Sequence, residues 1–383
     1  MGQSLSQDAV NFDFSDEQKL LREQARKFLS EHCTAKTARR VFESAEPYDR
    51  QLWKRVAEMG WLGTAIPGNY GGLGLGPLEL CVIAEEMGRA LAPLPFCSTV
   101  CSFADAILLA GTEEQKQKYL PRLAAGDLIG TFARSEGPGA MTPKSIRVTF
   151  RGGKLSGRKI AVVDGMAAEF AIVIARSSDE PGERDLSLAI VDLKTEGVVR
   201  RAEDCIDPSR KHAEIAFEDA SAEPLGEPGE GWSLTRAVLD RAAVLTAFEQ
   251  IGGADVSLAL ATEYAKTRYA FARPIGSYQA VKHKLADMYV NNELARSNAY
   301  YAVWALSVDA RELPLAAAAA RVSATQAFDY AAKEMIQIYG GIGFTWEADC
   351  HLYYKRSREL ALSLGAQRSW KDRLVSQLEA NNA

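Results

Sequence analysis

Along the first third of the chain, apolar positions recur at helical spacing. Ser15 and Gln18 stand at the separation of a capping box, and after them Leu20, Leu21, Ala25, Phe28 and Leu29 fall on one stripe of a helix. Thr112 with Gln115 opens another helix, which Pro121 is expected to interrupt or end. Between residues 129 and 220 the period changes. Ile146 to Phe150 alternates, Ala171 to Ala175 and Leu188 to Val191 are short apolar runs, and Glu214 to Phe217 is a further strand candidate. Turn formers at Gly152-Gly153, Asp179 to Gly182 and Asp207-Pro208 separate them. A stretch rich in Gly, Pro and Glu, from Glu223 to Gly231, leads into four long patterns with Ala-dense faces, read as an antiparallel helical bundle. The run Ala316 to Ala320 is strong helix former rather than a low-complexity tail. The predicted organisation is α+β and mainly α: an N-terminal helical domain over 1–127, a middle β-domain over 128–224, and a C-terminal helical bundle over 225–383.

Composition narrows the function. The 383 residues are 47% apolar and 25% charged, an ordinary globular balance. A formal charge of −5 argues against nucleic acid as a main partner. Cys33, Cys81, Cys97, Cys101, Cys205 and Cys350 show no CxxC spacing, and the four histidines are scattered, so neither a metal site nor a disulfide framework is indicated. Cys97 and Cys101 share a helix face and read as core thiols. No apolar run reaches transmembrane length and no secretory signal is visible, which gives a cytoplasmic expectation. The start, Met1 to Ser6, fits the N-myristoylation pattern without a polybasic follow-up, and a short leader is the preferred reading.

Two segments carry candidate chemistry. Gln337-Ile338-Tyr339-Gly340-Gly341-Ile342-Gly343-Phe344 places three glycines in four positions directly after an apolar helix. Bare N–H groups there would let an anionic group approach the main chain, although glycine pairs also end helices. Some seventy residues upstream, Thr267 to His283 holds Arg268, Phe271 and Gln279 around a turn at Pro274-Gly276. Arg268 offers a planar fork for phosphate oxygens, Phe271 an apolar face, and Gln279 an amide for a sugar-type hydroxyl.

In this order and spacing the two segments resemble the flavin-binding signature of the acyl-CoA dehydrogenase family. Ile66 to Gly76, Glu85 to Arg89, Gly111 to Pro121 and Leu225 to Trp232 extend the resemblance over about residues 12 to 375. It implies a helical domain, a β-barrel or sandwich and a four-helix bundle. It also implies bound FAD, contacted by Arg268, Phe271, Gln279 and Gln337, with Gly340 and Gly341 at the pyrophosphate, partly across a subunit boundary. Gly72 to Gly76 lacks the strand, spacing and acidic residue of a dinucleotide-fold fingerprint.

The family removes two hydrogens from an acyl-CoA thioester. A carboxylate takes the α-proton while the β-hydrogen leaves as hydride to flavin N5, so the base must face the flavin across the substrate. In most relatives that base is a glutamate preceding a glycine, and the matching position here is Leu364, before Gly365. The alternative family placement, as in isovaleryl-CoA dehydrogenase, matches Asp240-Arg241. Asp240 is therefore the candidate base, one carbon shorter than Glu and about 1.5 Å short in reach. Arg241 is the candidate substrate contact and Glu249 a fallback base. The family's Thr-Glu-Pro stretch becomes Ser135-Glu136-Gly137, where Ser135 keeps a hydroxyl for the flavin. The family's Trp-Ile-Thr becomes Ala161-Val162-Val163, which would open space for a bulky acyl group.

The leading expectation is an FAD-dependent acyl-CoA dehydrogenase subunit acting on a bulky, sterol-type thioester and passing electrons to an electron-transfer flavoprotein or similar acceptor. The alternative is a non-catalytic partner subunit of a heteromeric dehydrogenase, and a flavin oxidase or hydroxylase on the same fold comes third. A homo- or hetero-oligomer, dimer or tetramer, is implied, since flavin contacts are shared between subunits.

Overall fold

A computed structural model describes residues 15–178 and 182–382. The leader pattern at Met1 to Ser6 and most of the turn at Asp179 to Gly182 lie outside the described residues. The chain opens with α1 (Asp16–His32), α2 (Ala35–Phe42), α3 (Arg50–Glu58) and α4 (Pro77–Arg89). At α1 the capping box forms reciprocally: Ser15 Oγ accepts from the Gln18 N–H, and Gln18 Oε1 accepts from the Ser15 N–H. Next come α5 (Phe96–Ser98), a single π-helical turn at Thr99–Phe103, α6 (Ala104–Ala110) and α7 (Glu113–Ala124). Thr112 and Gln115 build the same box on α7. Pro121 does not end that helix, which runs on to Ala124. The Pro121 carbonyl still accepts from the Ala125 N–H, so only the bond its missing N–H would have made is forfeited.

The sheet has seven strands: β1 (Gly130–Ala133), β2 (Thr149–Arg151), β3 (Lys154–Val162), β4 (Phe170–Arg176), β5 (Leu186–Asp192), β6 (Val198–Ala202) and β7 (Ala213–Leu225). The pairings β4–β2–β3–β7–β5 return to β4, so five strands close into a barrel. β1 runs parallel to β4, and β6 pairs with β7. Every residue from Ala171 to Ala175 is buried, which explains a continuous apolar run where one-sided strands would alternate. The strand expected at 146–150 is confined to Thr149–Arg151, because a 3-10 turn at Pro143–Ser145 precedes it.

Beyond the barrel stand α8 (Gly231–Thr267), α9 (Gln279–Ser307), α10 (Leu313–Tyr339), α11 (Cys350–Ser363) and α12 (Gln367–Asn382). The last of the four expected patterns breaks in two at Leu364-Gly365, where Gly365 takes φ +98°. Alanines at 316, 317, 318, 320, 324 and 327 are buried, so α10 packs closely against its neighbours. α4 meets α8 closer still: a methyl built on Gly88 would stand 1.9 Å from the Glu249 carbonyl oxygen, and one on Gly252 1.9 Å from that of Glu85. No helix of the described residues is long and apolar enough to cross a membrane.

Candidate active site

The flavin candidates and the residues around Leu364 form two groups at different places in the fold, and Asp240, Arg241 and Glu249 lie outside both. The first sits where α8 and α10 end side by side. Tyr264 and Tyr339 stack there with ring centroids 4.1 Å apart, and the Tyr339 hydroxyl donates to the Leu260 carbonyl. Beyond α8, β8 (Tyr269–Ala270) and β9 (Arg273–Pro274) form a two-residue hairpin whose central residues, Phe271 and Ala272, have φ of +53° and +64°. Asn-Gly would suit such a turn; a phenylalanine and an alanine there store backbone strain of about 1 kcal/mol each. The strain presents Phe271 with 93% of its surface exposed. Arg268, Gln279 and Gln337 are also exposed. Gly340 has φ +65°, and nothing lies within 4 Å of a methyl built on it or on Gly341. These glycines are therefore not required by packing; they leave open main chain beside a guanidinium, an aromatic face and two amides. That donor set fits the phosphate, ring and sugar portions of a dinucleotide.

The second group lies at the barrel end of α11, about 20 Å along that helix from its start near the glycine turn. Here a narrow cleft of about 40 Å³ is bordered by Thr131, Phe132, Arg134, Val163, Leu360 and Leu364. No carboxylate among the described residues borders the cleft. Nor is it wide; Ala161, where the family's indole is expected, does not border it. Arg134 Nη2 donates to the Ser363 carbonyl at 2.6 Å, and burial pulls its guanidinium down to about 10. Ser135 follows directly; its carbonyl accepts from the Ile160 N–H, and it borders a separate, open depression of about 480 Å³ along the Glu136 to Met141 loop. Ala161 takes φ +49° and donates its N–H to Glu203.

Asp240 does not border this cleft. It is buried on α8 and ion-paired with Arg373 of α12 through Oδ2, while Oδ1 has no partner. Burial pushes its carboxyl up to about 6, against the pull of Arg373 and Arg236. Arg241 reaches Asp309 at 3.8 Å and is half-buried. Burial likewise raises Asp105 to about 6, with Arg241 drawing it down.

Glu249, the fallback base, belongs to a buried polar hub. Arg356 Nη1 donates to it at 3.2 Å, Arg210 stands 3.6 Å away, and the Cys97 thiol donates at 3.1 Å. Arg356 also holds Asp207 and Ser209, and Arg210 grips Asp164 with two hydrogen bonds. The hub ties α11 and α8 to the barrel, with the Glu249 carboxylate buried inside it. Burial raises both the Cys97 and Cys101 thiols well above the ordinary range, so they stay protonated. No group of three or more His, Cys, Asp or Glu among the described residues could hold a metal ion.

A helical domain, a closed barrel and a helical bundle, with an open glycine turn and a strained aromatic hairpin on one bundle end, define a class. Residues 15–127 match the acyl-CoA dehydrogenase N-terminal domain, and residues 229–373 match the C-terminal domain. The acyl-CoA dehydrogenase IpdE2 of Mycobacterium tuberculosis is 34% identical over 95% of this chain and 98% of its own length. An acyl-CoA dehydrogenase of Bacillus subtilis is 32% identical over 86% of this chain and 89% of its own. A variant of the Tcur3481-Tcur3483 steroid ACAD superposes with a TM-score of 0.87 at 29% identity, covering 96% of this chain and 99% of that one. The chain belongs to the acyl-CoA dehydrogenase family, a family of flavoprotein oxidoreductases.

Proposed function

We propose that this chain is an FAD-binding subunit of a cytoplasmic enzyme that removes the α- and β-hydrogens of an acyl-CoA thioester to give the 2-enoyl-CoA. One observation carries the reading: the Gly340-Gly341 turn is open where packing does not need glycine, beside an outward Phe271 held by a strained turn. The chain is read as three units, 1–127, 128–224 and 225–383. Arg268, Phe271, Gln279, Gln337, Gly340 and Gly341 hold the dinucleotide, and Ser135 meets the ring from the barrel side. Bound flavin supplies a hydride acceptor. Asp240 takes the α-proton through its unpartnered oxygen, with a carboxyl already raised toward neutral pH. Arg241 contacts the substrate. The steroid naming of a structural relative supports a bulky, ring-bearing acyl group, and an electron-transfer flavoprotein or similar acceptor would reoxidise the flavin. The two groups of candidates stand apart within one chain, which supports a homo- or hetero-oligomer in which a second subunit completes each site.

The narrow, carboxylate-free cleft at Leu364 and the locking of Asp240 by Arg373 favour a second reading, in which the chain is a non-catalytic partner within a heteromeric dehydrogenase. Purification of the chain alone separates the two. Bound flavin that is bleached by acyl-CoA anaerobically, with bleaching lost in Asp240→Asn, supports the enzyme. Absence of flavin and bleaching until a second dehydrogenase-like chain is added supports the partner role. A protein that binds no flavin in either state refutes both.

A further inference from the structure

The charges around the cleft do not balance. Asp207 and Glu249 are taken up by Arg356, Asp164 by Arg210, and Glu136 by the buried Lys159. That leaves two guanidiniums without a carboxylate. Arg321, fully buried, donates only to the Gln250 side-chain oxygen and the Leu360 carbonyl. Arg134 donates only to the Ser363 carbonyl, so Nε and Nη1 have no acceptor among the described residues. Burial, reinforced by the field of Arg134 and opposed by Glu249, lowers Arg321 to about 9. Buried charges are ordinarily paired, and of these two it is Arg134 that borders the cavity, where an unpaired guanidinium is costly unless a ligand compensates it.

The cavity is also furnished for an anion. Ser102 and Thr246 border it, and neither hydroxyl has a hydrogen-bond partner among the described residues. A volume of about 40 Å³ suits a carboxylate rather than a ring. Where the family carries a carboxylate this chain has Leu364, and the residue facing that space is a cation.

We propose that this cleft is a carboxylate-binding subsite, in which Arg134, Ser102 and Thr246 receive an acidic group carried by the acyl chain, so that the substrate class is an acyl-CoA with a second carboxylate. The negative charge of this pocket comes from the ligand instead of the protein. The assignment deepens the proposed function and rests on acyl-CoA binding by this chain.

The test is isothermal titration of the purified flavoprotein, with its partner chain if one is needed for flavin. The probes are succinyl-, glutaryl- and adipoyl-CoA, each against the monoacid thioester of equal chain length, with free CoA as control. At least one diacid thioester is expected to bind about tenfold tighter or better than its neutral counterpart, since charge-assisted bidentate bonds are worth that much. Arg134→Leu should abolish the preference without changing the neutral thioester. Arg134→Lys should keep part of it, and Thr246→Ala should reduce it in a protein that keeps every charge. Equal binding of diacid and monoacid thioesters overturns the subsite and leaves the proposed function standing. Equal weakening of free CoA by Arg134→Leu also overturns it, because the arginine would then read a phosphate. Failure of every thioester to bind overturns the subsite and the proposed function together.

Discussion

Arg373 of α12 closes onto Asp240 of α8 at 2.5 Å, with side-chain exposures of only 16% and 5%. The pair joins the last helix to the first helix of the bundle, and the two act on one another's charge. Burial nevertheless wins, so the Asp240 carboxyl stands near 6 when folded against about 4 in an unfolded chain. Between those values the folded protein holds a proton that the unfolded chain has released, so this residue's contribution to stability falls as pH rises from about 4 to about 6. The loss is of order 2–3 kcal/mol. In denaturant titrations over that window, wild type should lose stability relative to Asp240→Asn. A constant difference across pH 4–7 would mean that the carboxyl is not displaced.

The same contact predicts an asymmetry between its partners. Arg373→Met strands a buried carboxylate and should cost about 3 kcal/mol at pH 8, less at pH 5 where Asp240 carries its proton. Asp240→Asn retains a hydrogen-bond acceptor and should cost less. Thermal unfolding of both variants at the two pH values checks the order. If Asp240 is the base, only Asp240→Asn combines a folded, flavin-loaded protein with loss of bleaching by acyl-CoA.

Gly88 and Gly252 make a third prediction, about assembly rather than chemistry. Each would drive a methyl to 1.9 Å from a carbonyl oxygen on the opposing helix, with no flexible side chain to yield. Gly88→Ala or Gly252→Ala should therefore destabilise by about 2–3 kcal/mol, despite the better helix propensity of alanine. Because α8 carries the hub carboxylate Glu249 and α4 carries Glu85, which pairs with Arg296 of α9, the shift should also loosen those contacts. Tm measurements that rise on either substitution would contradict the close crossing.

How far the sequence disclosed this site depends on whether each feature is local. The capping boxes at Ser15 and Thr112 are readable because three residues settle them, and the apolar barrel run at 171–175 because burial on both faces removes alternation. Helix persistence through Pro121 was not readable, since a proline marks a possible break and the sequence does not say whether the helix runs on past it. The Arg356 hub joins residues 107 and 149 positions apart in sequence, and charge pairs at that range leave no periodic signature. The isolation of Arg134 leaves no sequence signal for the same reason: it is a property of what its neighbours pair with. The Phe271-Ala272 turn carried no Asn-Gly signal, because its geometry is imposed against propensity.

That imposed geometry is testable. Ala272 sits at φ +64° in a turn where glycine incurs no Cβ clash. Ala272→Gly should stabilise the protein without flavin by about 0.5–1 kcal/mol, the left-handed penalty outweighing the added freedom of the unfolded chain. If the strain serves to hold Phe271 outward, the same substitution should speed flavin dissociation, because the aromatic is no longer fixed. Stability and flavin off-rate measured on one preparation would show whether the two move in opposite directions.

Gly341 separates a folding role from a binding role most cleanly. Its backbone is not left-handed and a methyl built on it meets nothing within 4 Å, so neither strain nor packing asks for glycine. Gly341→Val should leave the stability of the flavin-free protein within about 0.5 kcal/mol of wild type, the usual range for an open surface position. A branched side chain there would nonetheless stand over the bare N–H groups and keep a pyrophosphate from reaching them. Flavin retention through gel filtration should fall sharply while Tm without flavin stays put. Arg268→Ala should weaken flavin in the same assay by removing the phosphate fork, and its effect should diminish at high salt, which the steric block of Gly341→Val would not. If Gly341→Val retained flavin at wild-type occupancy, the glycine turn would be an ordinary helix end, and the clamp on which the functional reading rests would have to lie elsewhere.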